Sequence, residues 1–504
     1  MTTRPGICLV LAGPTLEDCR RQLEDNRPWI DLAEVRADKI GREDWPALND
    51  FSREAGLPLV LTLRQPRHGG DWTGSPDARE AFFEQALDGV WAWADVEDDQ
   101  RMPDWEARWR AAGHELIVSF HELEGLGVGW LERIRRTQAT LAGTDGVVKA
   151  ALMPRSSRDY LTFVQGVLSL PTGRRVLLAM GGVGFTSRVL TARFGSLWTY
   201  ASPTGNTIAP GQTDPQTLVE LYRYRLQTRQ TPVYGVVGNP VFHSKSPHIH
   251  NPGLAALGLP GTYVPFLADD VQALLRTAEL LGVRGLSCTI PHKQAVLPLL
   301  ESASGAVEAI GAANTLVRTP AGWRGDNTDA RGFLEPLSAL QRSIHGSGAL
   351  SAAGVTVIGT GGAARAIVWA LAQAGCRVLV LGRDLAKAEA LAAEFGVQAA
   401  HLGPESLDAV KTHASVLVQT TSVGMGDQEG KDPLPWYEFT GNEIAYDIVY
   451  APQWTSFLER ARQAGCQVLF GRQMLDHQAW LQFGLFTGVD YPTAKMGGQP
   501  GEGQ

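Results

Sequence analysis

The sequence predicts an α/β protein in three parts: eight strand–helix units, a smaller α/β unit, and a strand–glycine loop–helix fold. Three observations carry that expectation. Eight short apolar runs recur about every 27 residues up to about residue 202, a βα repeat length. A new strand pattern opens at VYGVVGNPV from Val233. VTVIGTGGAARA, from Val355, then places glycines between an apolar strand and a helical segment.

The eight runs are ICLVLA (Ile7), LAEVRAD (Leu32), PLVLTLR (Pro58), VWAWADVE (Val90), ELIVSFHE (Glu115), GVVKAAL (Gly146), RVLLAMG (Arg175) and WTYAS (Trp198). Such units close into a (β/α)8 barrel or spread as a doubly wound open sheet, and spacing alone leaves both open. Arg4 with the apolar run Ile7–Ala12 is too short for a secretion signal and leads into the helical LEDCRRQLEDN, so it reads as the first strand. Residues 214–230 are polar and end in QTRQTP, a connector. TYVPFLA and GLSCTIPHK continue the second part, and the Gly-rich AKMGGQPGEGQ closes the chain as a flexible tail.

Composition narrows the function classes. Over 504 residues, 44% hydrophobic and 19% charged residues describe a globular protein with room for several cores. A net charge of −8 without a basic run argues against nucleic acid or an anionic membrane as partner, and no apolar stretch is long enough to span one. Five cysteines, widely spaced and without a CxxC pair, suit a reducing cytoplasm and give no metal-ligand pattern.

Strand alternation puts Glu34, Arg36 and Asp38 on one face, Asp95 and Glu97 on one face, and Ser119 with His121. Arg64 and Lys149 also lie near strand ends. Charges facing a barrel interior are tolerated at its C-terminal mouth, so the set predicts an anionic polar pocket there. Lys149, embedded in VVKAAL, is a candidate amine nucleophile for a ketone if burial and neighbouring cations favour its neutral form; an edge-strand lysine reaching solvent is the competing reading. His121 is a candidate general acid/base or a hydrogen-bonded structural histidine.

EVRAD, TLRQPRHGG, VSFHE, GVVKAAL, MGGVGFTSR and IAPGQ follow the order and spacing of the type I 3-dehydroquinate dehydratases, which the first 215 residues resemble. The resemblance implies a TIM barrel in which Lys149 forms an imine with the ring ketone and His121 moves the protons. It also implies that Arg188 holds the substrate carboxylate, while Glu34, Arg36, Arg64 and Gln212 position ring hydroxyls. Two positions depart from the family pattern: His68 stands where a glutamate that orients the catalytic histidine is usual, and Ile208 where a serine is usual.

In the second half, Ser244 and Ser246 are two apart in GNPVFHSKSPHIHN and either hold a carboxylate or cap a turn before Pro247. Lys293 follows a strand and Asp329 lies in GDNTDARGF; brought together, such a pair protonates a ketone oxygen. Gly359, Gly361 and Gly362 have the context of a pyrophosphate-binding turn. After RVLVLGRD, Arg383 and Lys387 suit the 2′-phosphate of NADP, whereas Asp384 suits the bare hydroxyl of NAD. SKS, TIPHK, GAANT, GDNTDARGF, GTGGAARA, GRDLAKA, TTSVGM and DIVYAP recur in order, and residues 233–485 resemble the shikimate dehydrogenases. That likeness implies an α/β substrate domain and a Rossmann-like NADP domain. It gives Ser244 and Ser246 the carboxylate, Thr289, Asn314, Tyr450, Gln478 and Gln482 the ring substituents, and Lys293 with Asp329 catalysis. Thr360, Ala363, Arg383, Lys387 and Met425 join the glycines at the cofactor. Gly382 and Asp384 replace the usual asparagine and threonine.

Joined, the two likenesses resemble the plant-type fused enzymes, in which 3-dehydroquinate is dehydrated to 3-dehydroshikimate and this is reduced to shikimate with NADPH, without a metal. The expected divisions are 1–225 barrel, 226–232 linker, 233–335 substrate domain, 336–488 cofactor domain and 489–504 tail. A quinate dehydrogenase in the second half, or a quinate- or shikimate-sensing regulator without activity, are the competing readings.

Overall fold

The computed structural model describes residues 4–205, 208, 211–345 and 350–496. Residues 497–504 of the expected tail, and Ala209 and Pro210 of IAPGQ, lie outside the described residues. Two compact units result: Met1–Leu254 with Leu259–Val283, and Ala255–Gly258 with Arg284–Gln504.

The first unit opens with eight parallel strands: β1 (Gly6–Leu11), β2 (Leu32–Arg36), β3 (Leu59–Thr62), β4 (Trp93–Glu97), β5 (Glu115–Glu122), β6 (Val147–Leu152), β7 (Arg175–Ala179) and β8 (Trp198–Ala201). Each is followed by helix, as the alternating sequence requires, and several of those helices start on a side-chain cap: Thr15, Ser75, Ser156 and Asp214 each accept a backbone N–H three residues on. Strand order runs β7-β6-β5-β4-β3-β2-β1-β8. The ring is nearly closed between β7 and β8, where Leu197 N donates to Arg175 O at 2.8 Å and Leu177 N to Ser196 Oγ at 2.9 Å. Of the two arrangements the spacing allowed, the chain adopts the barrel.

A side-chain period of two builds the barrel interior in layers. Cys8, Leu32, Val60, Ile117, Val147, Val176 and Trp198 belong to one buried apolar cluster. Two residues further along four of these strands stand Glu34, Thr62, Ser119 and Lys149, with Asp95 two residues beyond Trp93. A polar layer therefore rests on an apolar floor. This unit continues through β9 (Val233–Gly238) and β10 (Thr262–Leu267), which pair in parallel.

In the second unit, β11 (Val283–Cys288), β12 (Ser302–Ala303), β13 (Thr315–Arg318) and β14 (Trp323–Asp326) precede a six-stranded parallel sheet. That sheet comprises β15 (Gly354–Ile358), β16 (Arg377–Gly382), β17 (Gln398–His401), β18 (Val416–Gln419), β19 (Ile444–Asp447) and β20 (Gln467–Phe470), in the order β17-β16-β15-β18-β19-β20. The order reverses beside β15, the switch point at which such sheets bind ligands. Both faces are covered: Val355, Val357, Val378 and Val380 join one core, Ile358, Leu379 and Leu381 the other. That double burial explains the uninterrupted apolar runs VTVI and VLVL. Among the described residues no helix is long and apolar enough to cross a membrane.

Candidate active sites

At the barrel mouth the polar layer is a single network. Lys149 Nζ donates to Glu34 Oε1 and to Asp95 Oδ2, each at 2.9 Å, and lies 4.0 Å from the centre of the Tyr200 ring. Arg64 reaches Asp95 Oδ2 at 2.7 Å and Ser119 Oγ at 3.0 Å, and its Nη1 is 3.3 Å from His121 Nδ1. Ser119 Oγ donates to Asp95 Oδ1 at 2.5 Å and Thr62 Oγ1 to Glu34 Oε1 at 3.0 Å. Lys149, Glu34, Asp95, Arg64 and Ser119 are all buried.

Of the burial and neighbouring cations weighed for Lys149, the structure shows burial, two carboxylates as hydrogen-bond partners, and Arg64 on one of them. One expectation changes here. The pocket is not anionic, because its carboxylates are met by cations: Glu34 and Asp95 by Lys149 and Arg64, Glu97 by Arg79, and Asp38 by Arg36 at 2.7 Å. Burial makes the balance necessary, since an unpaired charge at this depth is costly.

Electrostatics separate the roles. Burial, then the positive charges of Arg64 and Lys149, push His121 well below its ordinary value, so its neutral form dominates at neutral pH. Burial opposes ionisation of Asp95, yet Arg64, Lys149 and Ser119 hold it well below the usual carboxylate range. Arg188 sits buried on the helix Gly181–Val189, and burial lowers it to about 10. Gln212 Oε1 accepts from Ser202 Oγ at 2.5 Å, and Ile208 N donates to the same hydroxyl at 3.1 Å. Arg36 pairs with Asp38 and also donates to Gly69 O at 3.2 Å.

Ser244 and Ser246, in the first unit, face each other: Ser244 Oγ donates to Ser246 Oγ at 3.2 Å and accepts from Ser246 N at 3.3 Å, as the helix Ser246–Ala256 begins. In the second unit Lys293 Nζ donates to Asp329 Oδ2. Asn314 Nδ2 donates to Asp329 Oδ1 at 2.8 Å, to Thr328 Oγ1 at 3.0 Å and to Gln478 Oε1 at 3.4 Å. Gln482 donates to Asn314 O at 3.1 Å and accepts from Ser287 Oγ at 2.6 Å. Thr289 is half-buried just after β11, and Tyr450 is half-buried after β19.

The cofactor candidates surround the end of β15. Gly359 has φ +118°, and a Cβ there would stand 2.5 Å from Thr420 Oγ1, so only glycine fits the turn. The helix Gly362–Gln373 starts at Gly361 without a side-chain cap, and a Cβ on Gly361 would meet open space. Free helix N-terminal amides beside open space fit a pyrophosphate. A Cβ on Gly362 would lie 3.8 Å from Lys293 Cδ, so the lysine adjoins this cradle. Thr360 and Ala363 flank the turn half-buried, while Arg383, Lys387 and Met425 are exposed. Among the described residues no three His, Cys, Asp or Glu side chains converge as a metal site.

Asp95, Ser119, Thr62 and Tyr200 complete the network around Lys149; Thr62 and Ser119 fall inside TLRQPRHGG and VSFHE, where the resemblance gave them no role, and position along the strand is the only signal for Asp95 and Tyr200.

Comparisons with known proteins match three stretches of the chain. Residues 7–229 match the family model for type I 3-dehydroquinase, 236–316 that for a shikimate dehydrogenase substrate binding domain, and 340–424 that for shikimate / quinate 5-dehydrogenase. A chloroplastic bifunctional 3-dehydroquinate dehydratase/shikimate dehydrogenase of Arabidopsis thaliana is 30% identical over 492 residues, covering 92% of this chain and 78% of that protein. Shikimate dehydrogenase (NADP(+)) of Crocosphaera subtropica is 36% identical over 272 residues, covering 51% of this chain and 92% of that protein. The crystal structure of shikimate 5-dehydrogenase from Thermus thermophilus, in complex with NADP(H) and shikimate, is 37% identical and covers 53% of this chain and 97% of its own, with a TM-score of 0.47.

Proposed function

Because the chain belongs to the family of bifunctional 3-dehydroquinate dehydratase/shikimate dehydrogenases of the shikimate pathway, we propose that its two sites act in sequence: Lys149 and His121 dehydrate 3-dehydroquinate, and Lys293 and Asp329 reduce the 3-dehydroshikimate formed. The observation that carries this reading is the Lys149 amine, clamped at 2.9 Å between Glu34 and Asp95 inside a barrel mouth that also holds His121.

In the dehydratase, Lys149 Nζ attacks the ring ketone and, with loss of water, forms a cationic imine. His121, neutral because burial and two cations disfavour its charge, removes the adjacent ring proton, and the electron pair moves into the imine to give an enamine. Return of that pair expels the ring hydroxyl, which leaves as water with the proton from His121. Hydrolysis of the imine then frees Lys149 and 3-dehydroshikimate. Glu34 and Asp95 fix the amine, Arg188 binds the substrate carboxylate, and Arg36, Arg64 and Gln212 meet ring hydroxyls.

In the dehydrogenase, Ser244 and Ser246 bind the carboxylate, and Thr289, Asn314, Tyr450, Gln478 and Gln482 bind the ring. When bound, the reduced nicotinamide supplies a hydride to the ketone carbon. Lys293 gives its proton to the ketone oxygen, while Asp329, braced by Asn314 Nδ2 at 2.8 Å, holds the ammonium in place. Gly359, Thr360, Gly361, Gly362, Ala363 and Met425 line the dinucleotide, with Arg383 and Lys387 at the 2′-phosphate. NADP over NAD is supported by the engagement of Asp384: its carboxylate caps the helix Leu385–Phe395, accepting from Lys387 N at 3.3 Å, and pairs with Lys387 Nζ at 3.5 Å. The proposed divisions remain 1–225, 226–232, 233–335 and 336–488, and the five unpaired cysteines suit a cytoplasmic setting.

The test is a coupled assay from 3-dehydroquinate and NADPH, following cofactor absorbance and shikimate together, with borohydride trapping in parallel. A single adduct on Lys149 and equimolar shikimate and NADP are expected; no adduct, or no oxidation of NADPH, overturns the reading.

A further inference from the structure

Behind the glycine turn, the helix Gly362–Gln373 sends one charged side chain out of its first turn. Arg365 N donates to Gly361 O at 3.0 Å and closes that turn with its main chain, while its guanidinium is committed elsewhere. Nε donates to Ile310 O at 2.9 Å, Nη1 donates to Glu394 at 2.9 Å, and Nη2 donates to the same carboxylate. Glu394 belongs to the helix Leu385–Phe395, and the Phe395 ring centre lies 5.6 Å from Arg365 Cζ. The two-point fork on Glu394 and the ring beside it fix the plane of the guanidinium and so aim Nε.

Ile310 ends the short helix Gly305–Ile310, whose final carbonyls find no partner within the helix. Gly311 turns the chain away at φ +70°, and a Cβ there would stand 3.1 Å from Arg365 Nη2. The next three residues are tied down one by one. Ala312 O accepts from Asn327 Nδ2 at 2.9 Å, Ala313 N donates to Lys293 O at 2.8 Å, and Asn314 N donates to Asp326 O at 3.1 Å, while its side chain reaches Asp329. Residues 310–314 are thus bonded to the main chain of Lys293 and to the carboxylate of Asp329. Against the helix Gly362–Gln373 the packing is of small side chains: Ile310, Ala312, Ala330, Ala366 and Ala370 share one buried cluster. Alanine methyls interlock weakly, so they oppose separation of the two surfaces more than sliding. The bond from Arg365 to Ile310 O is directional and supplies the register that the methyls do not.

We propose that Arg365 is a positioning residue for the dehydrogenase: by holding Ile310 O it fixes residues 310–314, and through them Lys293 and Asp329, at a set distance from the glycine turn that receives the dinucleotide. Its effect is on the alignment of ketone and nicotinamide, not on the affinity for either. The inference deepens the reading of Lys293 and Asp329 as the reducing pair and rests on it.

Three variants of the full chain test it. Arg365→Met keeps the apolar stem and removes the donor. Its kcat for NADP-linked shikimate oxidation is expected to fall by about tenfold to a hundredfold, the cost of a reacting group displaced by up to about 1 Å. KM for shikimate, and the Kd for NADPH read by titrating nicotinamide fluorescence, are expected to stay within about threefold of the parent. Arg365→Gln places its amide Nε2 where Arg365 Nε stands, so it still donates to Ile310 O and is expected to regain most of the lost kcat although the Glu394 pair is gone. The proposal is overturned if Arg365→Met keeps kcat within about twofold, if Gln is as slow as Met, or if the NADPH Kd rises as steeply as kcat falls, the mark of a damaged turn. Lys293→Ala separates the two levels of argument: shikimate oxidation at the parent's rate in that variant overturns the reducing pair and the proposal with it, whereas its loss leaves the two Arg365 variants to judge the proposal alone.

Discussion

Replacing Lys149 with methionine removes the nucleophile and keeps most of the side-chain volume, so its consequences are legible in the network. Asp95 retains Arg64 at 2.7 Å and Ser119 at 2.5 Å and stays satisfied. Glu34 keeps only the Thr62 hydroxyl at 3.0 Å and a longer ion pair with Arg64 at 3.6 Å. Breaking a buried pair costs roughly 3–5 kcal/mol; with one carboxylate still doubly bound, about 3 kcal/mol is expected here. Dehydration should fall by about a million-fold, the scale for losing a covalent nucleophile, while NADP-linked shikimate oxidation persists. Initial rates on 3-dehydroquinate and on shikimate, borohydride trapping, and urea denaturation of the variant beside the parent measure these effects. Dehydration within tenfold of the parent would refute the covalent mechanism, and an unchanged denaturation midpoint would refute the account of the Glu34 charge.

Three further outcomes are expected. Lys293→Ala should lower shikimate oxidation by about 10²–10⁴-fold, the usual value of a positioned proton donor, and spare dehydration; steady-state rates on both substrates check it. Arg383→Ala should raise KM for NADPH about tenfold, as loss of one charged hydrogen bond to a phosphate does, and leave KM for NADH nearly unchanged, so equal losses with both cofactors would count against the 2′-phosphate assignment. Because burial, Arg64 and Lys149 all disfavour the charged form of His121, its base form is present through neutral pH and is lost only on the acid side; the acid limb of dehydratase kcat/KM should therefore lie below pH 6.5, and a limb at or above that value would contradict the geometry.

The motif-bearing parts of both sites were readable because they depend on local pattern. Lys149 lies in VVKAAL and its strand is β6; Gly359 and Gly361 lie where a strand must turn tightly into a helix, and φ +118° at Gly359 supplies the reason. Less was legible where the partner is distant. Glu34 and Asp95 were placed on strand faces, yet nothing local says that both accept from Lys149. Asp384 shows the same limit: its residue type suggested a ribose contact, and the fold engages it as a helix cap.

By itself the chain determined the order of elements, the inward or outward parity of each strand and the positions of its turns, because these follow from periods of two and 3.6 residues and from backbone freedom at glycine. Tertiary structure alone decided which charges meet. Lys149 and Glu34 are 115 positions apart and come within 2.9 Å only because β1 pairs with both β2 and β8 and bends eight strands into a ring. Pairing across that ring is a matter of strand register and barrel radius, which no local segment encodes, and it turns scattered buried charges into a balanced site.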